Sequence, residues 1–178
     1  GRASAGSVCR SGLKAGGGSS SFFQNNRIDV FAVDLVAHEI GHQFGALHTF
    51  TSGRNCTLGA DQFTQRDAYE MGSGSTIMSY IGLCGNNNIQ DDVDDYYHTK
   101  SVQEIFKYLN SRNGGCAQLI PTGNTPPTVT VAESGFTIPI NTPFVLEAYA
   151  TDVNGDVLTY NWEQFDPATK MENMFGTP

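Results

Sequence analysis

The eleven residues His38-Glu-Ile-Gly-His42-Gln-Phe-Gly45-Ala-Leu-His48 constrain this chain more than any other stretch. On a helix, residues four apart share a face, so His38 and His42 can present two imidazole nitrogens to one cation. Glu39 is rotated by about 100° from His38, which sets its carboxylate beside that cation rather than on it. Gly45, lacking a Cβ, accepts the left-handed conformation that turns the chain and brings His48 back to the same point. Three neutral imidazoles with one open position describe a catalytic rather than a structural zinc site. Zinc there would bring a bound water to a pKa of about 7, and Glu39 is placed to take a proton from it. A bare His-x-x-x-His pair is commonly an exposed or core pair; Gly45 and His48 at their spacings set this one apart.

The helix carrying the motif is expected from Ile28 to Phe44, with Ile28, Phe31, Leu35, Ile40 and Phe44 near helical spacing, Asn26 or Asp29 as cap and Gly45 as stop. A second helix is expected where Ser101 and Glu104 form an S-x-x-E capping box and Val102, Ile105, Phe106 and Leu109 share a face, ending at Gly114-Gly115. Pro121 to Pro127 reads as a linker, because its prolines and Gly123 cannot continue a helix or a central strand. Beyond it the period changes to two, with short strand candidates at Thr128–Val131, Phe136–Ile140, Phe144–Ala150 and Val157–Trp162. That spacing suits an immunoglobulin-like β-sandwich, with Trp162 in its core, although residues 128–178 supply about half of one. The charge is uneven: residues 1–120 carry a net −2 and residues 121–178 a net −6. An acidic chain without a basic cluster argues against nucleic acid or an anionic membrane as main partner. No apolar run approaches the ~18 residues of a transmembrane span.

With Gly45 and His48 in place, the chain resembles the metzincin clan of zinc endopeptidases, whose consensus H-E-x-x-H-x-x-G-x-x-H is met at every position. Ser75-Thr-Ile-Met78-Ser-Tyr80 resembles the clan's Met-turn, with Met78 as the floor beneath the zinc. Gly1–Cys9 looks like the sheet-edge strand that precedes the zinc helix in reprolysin-like (adamalysin-like) peptidases, and Val36–Phe50 with Gly72–Gly82 most resembles bacterial secreted reprolysin-like enzymes. Tyr80, two residues after the methionine, looks more like astacins and serralysins, where such a tyrosine approaches the zinc; the other reading is packing against the zinc helix. The resemblance implies an α+β chain: residues 1–120 as the C-terminal portion of a metzincin catalytic domain (edge strand, zinc helix, Met-turn, C-terminal helix), 121–127 as linker, and 128–178 as a partial all-β sandwich. Only 37 residues precede His38, so the domain's upstream segment is expected to come from elsewhere or to be missing.

By the same resemblance, Cys9 is expected to pair with Cys116 and Cys56 with Cys84, free buried thiols being the alternative. The family's location implies secretion, where disulfides persist. A polypeptide substrate is expected to extend along an edge strand at Gly1–Val8 and place its scissile carbonyl over the zinc. Glu39 would act as general base and then acid, with Tyr80 as donor to the oxyanion. Asp91, Asp92, Asp94 and Asp95 offer oxygen ligands for Ca2+ or form a solvated loop. His98 reads as packing or capping, and Asp152-Val-Asn-Gly-Asp156 as a turn before it reads as a calcium loop. The leading expectation is a secreted zinc endopeptidase. The alternatives are an adhesion or binding module carrying an inactive peptidase remnant, and a zinc hydrolase of a small amide.

Overall fold

A computed structural model describes residues 2–13, 17–18, 31–52, 56, 62–132 and 135–168. The motif helix runs as a π-helix over Phe31–Ala37 and tightens at His38 into α1, His38–Gln43. The i, i+4 face therefore begins at the first histidine. Ile28 and the expected caps Asn26 and Asp29 lie outside the described residues. The buried residues of α1 are His38, Glu39 and Gly41, whereas Ile40 is 44% exposed. The helix docks through its motif residues, and the apolar spacing expected to include Ile40 does not mark its inner face. Gly45 ends the helix at φ +93°, where Gly45 N–H reaches His42 O at 2.8 Å and Ala46 N–H reaches Gly41 O at 3.0 Å. Only glycine takes that conformation without strain.

The expected extended stretch at Gly1–Val8 is shorter in the structure. Strand β1, Arg2–Ala3, pairs antiparallel with β2, Gly17–Gly18. Residues 6–8 are recruited elsewhere: Gly6 N–H donates to His42 O at 2.9 Å, and Ser7 and Val8 N–H donate to Gln43 O at 2.9 and 3.2 Å. These carbonyls close the last turn of α1, where a helix leaves its acceptors unpaired.

Helix α2, Thr99–Leu109, starts two residues before the expected capping box. His98 is its N-cap, accepting from Lys100 N–H at 3.1 Å through Nδ1. Ser101 is buried inside the helix, and Glu104 reaches Leu47 N–H at 2.8 Å instead of closing a box. Ile105 packs with Val33, Ala37, Val93 and Tyr97 around Ala46, Ile77 and Met78. A second cluster joins Phe50, Cys56, Tyr80 and Cys84, with Phe63 against it. Disulfides link Cys9 to Cys116 and Cys56 to Cys84, so the second of them lies inside this cluster.

Glu70 is buried, 9% exposed. Its Oε1 accepts from Ser75 and Thr76 N–H at 2.9 and 3.0 Å; its Oε2 accepts from the Thr76 hydroxyl at 2.7 Å and from the Thr49 hydroxyl. One carboxylate thus joins the segment after His48 to the turn that carries Met78.

By compactness the chain divides into Gly1–Ala117 with the stretch beginning at Glu163, and Gln118–Trp162. In the first unit, Glu163 Oε2 accepts from Thr99 N–H at 2.8 Å, Phe165 packs on Tyr69 at 5.0 Å, and Ala168 N–H bonds Ala68 O at 2.7 Å. A carboxylate at the start of α2 meets the positive end of the helix dipole.

In the second unit, β3 (Thr128–Val131) pairs antiparallel with β4 (Ala148–Thr151). The expected strands at Phe136–Ile140 and Val157–Trp162 do not form, and Phe144–Ala150 is strand only from Ala148. No immunoglobulin-like sandwich is present among the described residues, and Trp162 is 52% exposed rather than in a core. Among the described residues of this unit the two-stranded sheet has no second layer, and Val129 is 60% and Tyr149 64% exposed. Asp152 Oδ1 accepts from Asn154 and Asp156 N–H at 2.8 and 3.2 Å, closing a turn after β4. Among the described residues no helix is long and apolar enough to cross a membrane.

Replacing Glu70 with Gln sets an amide NH2 against groups that can only donate or already do. Glu70→Gln is expected to destabilise the metal-free protein by about 3 kcal/mol, measured by urea unfolding, since hydrogen bonds to a charged acceptor contribute about 1.5–3 kcal/mol each.

Candidate metal centre

Helix α1 supplies His38 and His42, and the Gly45 bend returns His48 to them. His48 Nε2 lies 2.9 Å from His42 Nε2 and 3.2 Å from His38 Nε2. The other nitrogen of each ring faces a main-chain carbonyl: His38 Nδ1 to Ile77 O at 2.7 Å, His42 Nδ1 to Ala46 O at 2.8 Å and His48 Nδ1 to Gln62 O at 3.0 Å. A carbonyl only accepts, so each Nδ1 carries the hydrogen and each neutral ring keeps its lone pair on Nε2. Three lone pairs then converge on one point and repel one another. A cation is what relieves that arrangement, and nitrogens about 2.0–2.1 Å from a tetrahedral zinc stand about 3.3 Å apart. The residues fit a zinc ion, and the triad is the one group of three or more potential ligands among the described residues.

Burial keeps the rings neutral. It lowers His38 to about 3, with His42 and His48 adding repulsion, and lowers His48 to about 4, with His42 adding to the effect. His42 is lowered as well, again by burial first. Metal ligation requires this unprotonated form.

Glu39 follows His38 on α1 and is buried, and burial raises its carboxyl above the ordinary value. The Tyr80 ring lies 4.4 Å from that of His48 and 5.9 Å from that of His38, and its hydroxyl donates to Gln62 Oε1 at 3.4 Å. Burial pushes Tyr80 up to about 12, with the Glu39 charge adding to it. Met78 is fully buried beneath α1, where a Cβ on Gly41 would collide with its sulfur and approach the Tyr97 ring at 2.9 Å. The turn around it is tight: Ser79 N–H bonds Thr76 O at 3.0 Å and Tyr80 N–H bonds Ser73 O at 2.9 Å.

The structure does not draw Asp91, Asp92, Asp94 and Asp95 into a group able to hold a cation among the described residues. Asp94 Oδ1 accepts from Gln90 Nε2 at 3.2 Å, and Asp91, Asp92 and Asp95 face solvent. Ala46 and Ile77 lie inside the segments already singled out, whereas Gln62 and Glu70 carry no motif of their own, and Glu104, expected in a capping box, turns to Leu47 instead. Gly41 was the one visible signal, a glycine inside a helix that needs a packing reason.

Residues 1–90 match the reprolysin model described as metallo-peptidase family M12. No curated protein and no solved structure matches the chain.

The depressed imidazoles predict acid sensitivity in the metal-free protein. The unfolded chain takes up protons near pH 6.5 while His38 and His48 resist until about 3 and about 4. Stability is therefore full above pH 6.5 and falls between there and pH 4. Each ring contributes about 1.4 kcal/mol per pH unit in that window. Urea midpoints between pH 7 and 4 in chelator check this.

Proposed function

The chain belongs to metallopeptidase family M12, and from that premise we propose that it is a secreted zinc-dependent endopeptidase in which His38, His42 and His48 hold the metal and Glu39 moves the proton. The observation that carries this reading is the convergence of three Nε2 lone pairs within 3.2 Å along the two measured edges. Zinc, when bound there, supplies a Lewis acid for the scissile carbonyl and lowers the pKa of a water.

The chain's own residues do the rest. Glu39 takes a proton on its carboxylate and delivers it to the leaving amine, a task helped by the burial that raises its carboxyl above the ordinary value. Tyr80 keeps its hydroxyl protonated and donates to the developing oxyanion. Met78 serves as the Met-turn floor that fixes α1 from below. An extended peptide adds to the β1–β2 ribbon, which packs on α1 with Gly17 against Gln43. Two disulfides support an oxidising, extracellular location.

Zinc-loaded protein is expected to hydrolyse casein, to lose activity in a chelator and to regain it with zinc. Glu39→Gln is expected to lower kcat/KM by about 10³-fold, within the range of general acid–base catalysis, with zinc affinity little changed. Casein left intact by the zinc-loaded wild type would favour a binding module, and activity surviving in Glu39→Gln would overturn the assigned role.

A further inference from the structure

The peptide group between Ala46 and Leu47 is held on both sides. Its carbonyl accepts the His42 Nδ1–H at 2.8 Å, and its N–H donates to Glu104 Oε2 at 2.8 Å. A peptide is a conjugated dipole, so a carboxylate at the N–H draws electron density toward the carbonyl oxygen. That oxygen then accepts more strongly from Nδ1–H, and an imidazole so held is a more basic ligand at Nε2.

We propose that Glu104 is a positioning residue of the metal centre: acting through the 46–47 peptide, its carboxylate orients His42 and enriches the nitrogen that faces the metal. The proposal rests on the metal-centre reading above. Glu104 comes from α2, far from the motif in sequence, and its side chain is 14% exposed. Both of its oxygens are engaged, since Oε1 lies 3.2 Å from Lys100 Nζ, which also holds Asp67 Oδ1 at 3.1 Å. The carboxylate is therefore fixed in orientation rather than loosely capping a loop. Among the described residues, the peptides that receive His38 and His48 have no carboxylate on their N–H groups. The effect is specific to one of three rings, and the other two serve as internal references. Burial raises the Glu104 carboxyl and the neighbouring Asp67 adds to the rise, while the Leu47 N–H and Lys100 oppose it; the comparison is made at pH 7.5.

Glu104→Gln preserves shape and an acceptor oxygen for Leu47 N–H but removes the charge. In the 15N-labelled full chain without metal, the His42 ring Nδ1–H proton resonance is expected to move upfield in this variant while those of His38 and His48 stay in place. Competition with a chromophoric chelator is expected to show zinc affinity weakened about 10-fold, the lower end of such outer-shell effects. All three rings shifting together, or none shifting with zinc affinity unchanged, would reduce Glu104 to a structural cap and overturn the proposal. Should Glu104→Gln fail to fold, Lys100→Met removes the partner of the other oxygen and must move the His42 resonance downfield; no movement counts against the relay. If the wild-type chain takes up no zinc, the metal-centre reading fails, and the metal-free resonances still decide the relay.

Discussion

Three ring hydrogens held by three main-chain carbonyls govern this centre. Because Ile77, Ala46 and Gln62 offer oxygens that cannot donate, each imidazole is locked in one tautomer with its lone pair turned inward. The inward arrangement is unfavourable alone, so the surrounding protein has to enforce it. Those carbonyls come from three separate places, the turn before Met78, the bend after α1 and the segment leading to Gln65–Asp67. The centre is consequently a meeting point of elements rather than a property of one helix.

Each element is anchored in its own way. Glu70 fixes the turn against the segment after His48, and the Cys56–Cys84 bond lies in the cluster that contains Tyr80. Gly41 lets Met78 approach the helix directly, and Gly45 lets the chain reverse next to Tyr108. Residues 6–8 and Glu104 close the remaining open backbone groups of α1 and of the bend. Buried carboxylates with all acceptors engaged recur here because loops without regular structure need side chains to satisfy their N–H groups.

What was legible in the sequence was local. The spacing from His38 to His48 encodes a helix face and a reversal within eleven residues, and both depend only on helix periodicity and on glycine's freedom. Helix α2 starts before its S-x-x-E box because His98, a less common cap, takes the role that Ser101 offers. Ile40 was misread because the face of α1 is chosen by tertiary packing, not by its apolar spacing. Glu70 and Gln62 left no trace, and Glu104 was visible only as half of a capping box that it does not close, since their partners lie 5 to 57 residues away and nothing in a linear pattern pairs a carboxylate with a distant N–H. The alternation beyond the linker suggested more strands than form, because alternation reports the wish to bury one face and not the presence of something to cover it.

The depth of Met78 has a consequence for chemical ageing. Its sulfur is fully shielded, pressed between α1 and the core, while Met71 stands 57% exposed. Peroxide reaches thioethers according to access. Met71 therefore takes up oxygen before Met78, and the thioether packed under α1 keeps its softness and shape for as long as the fold holds.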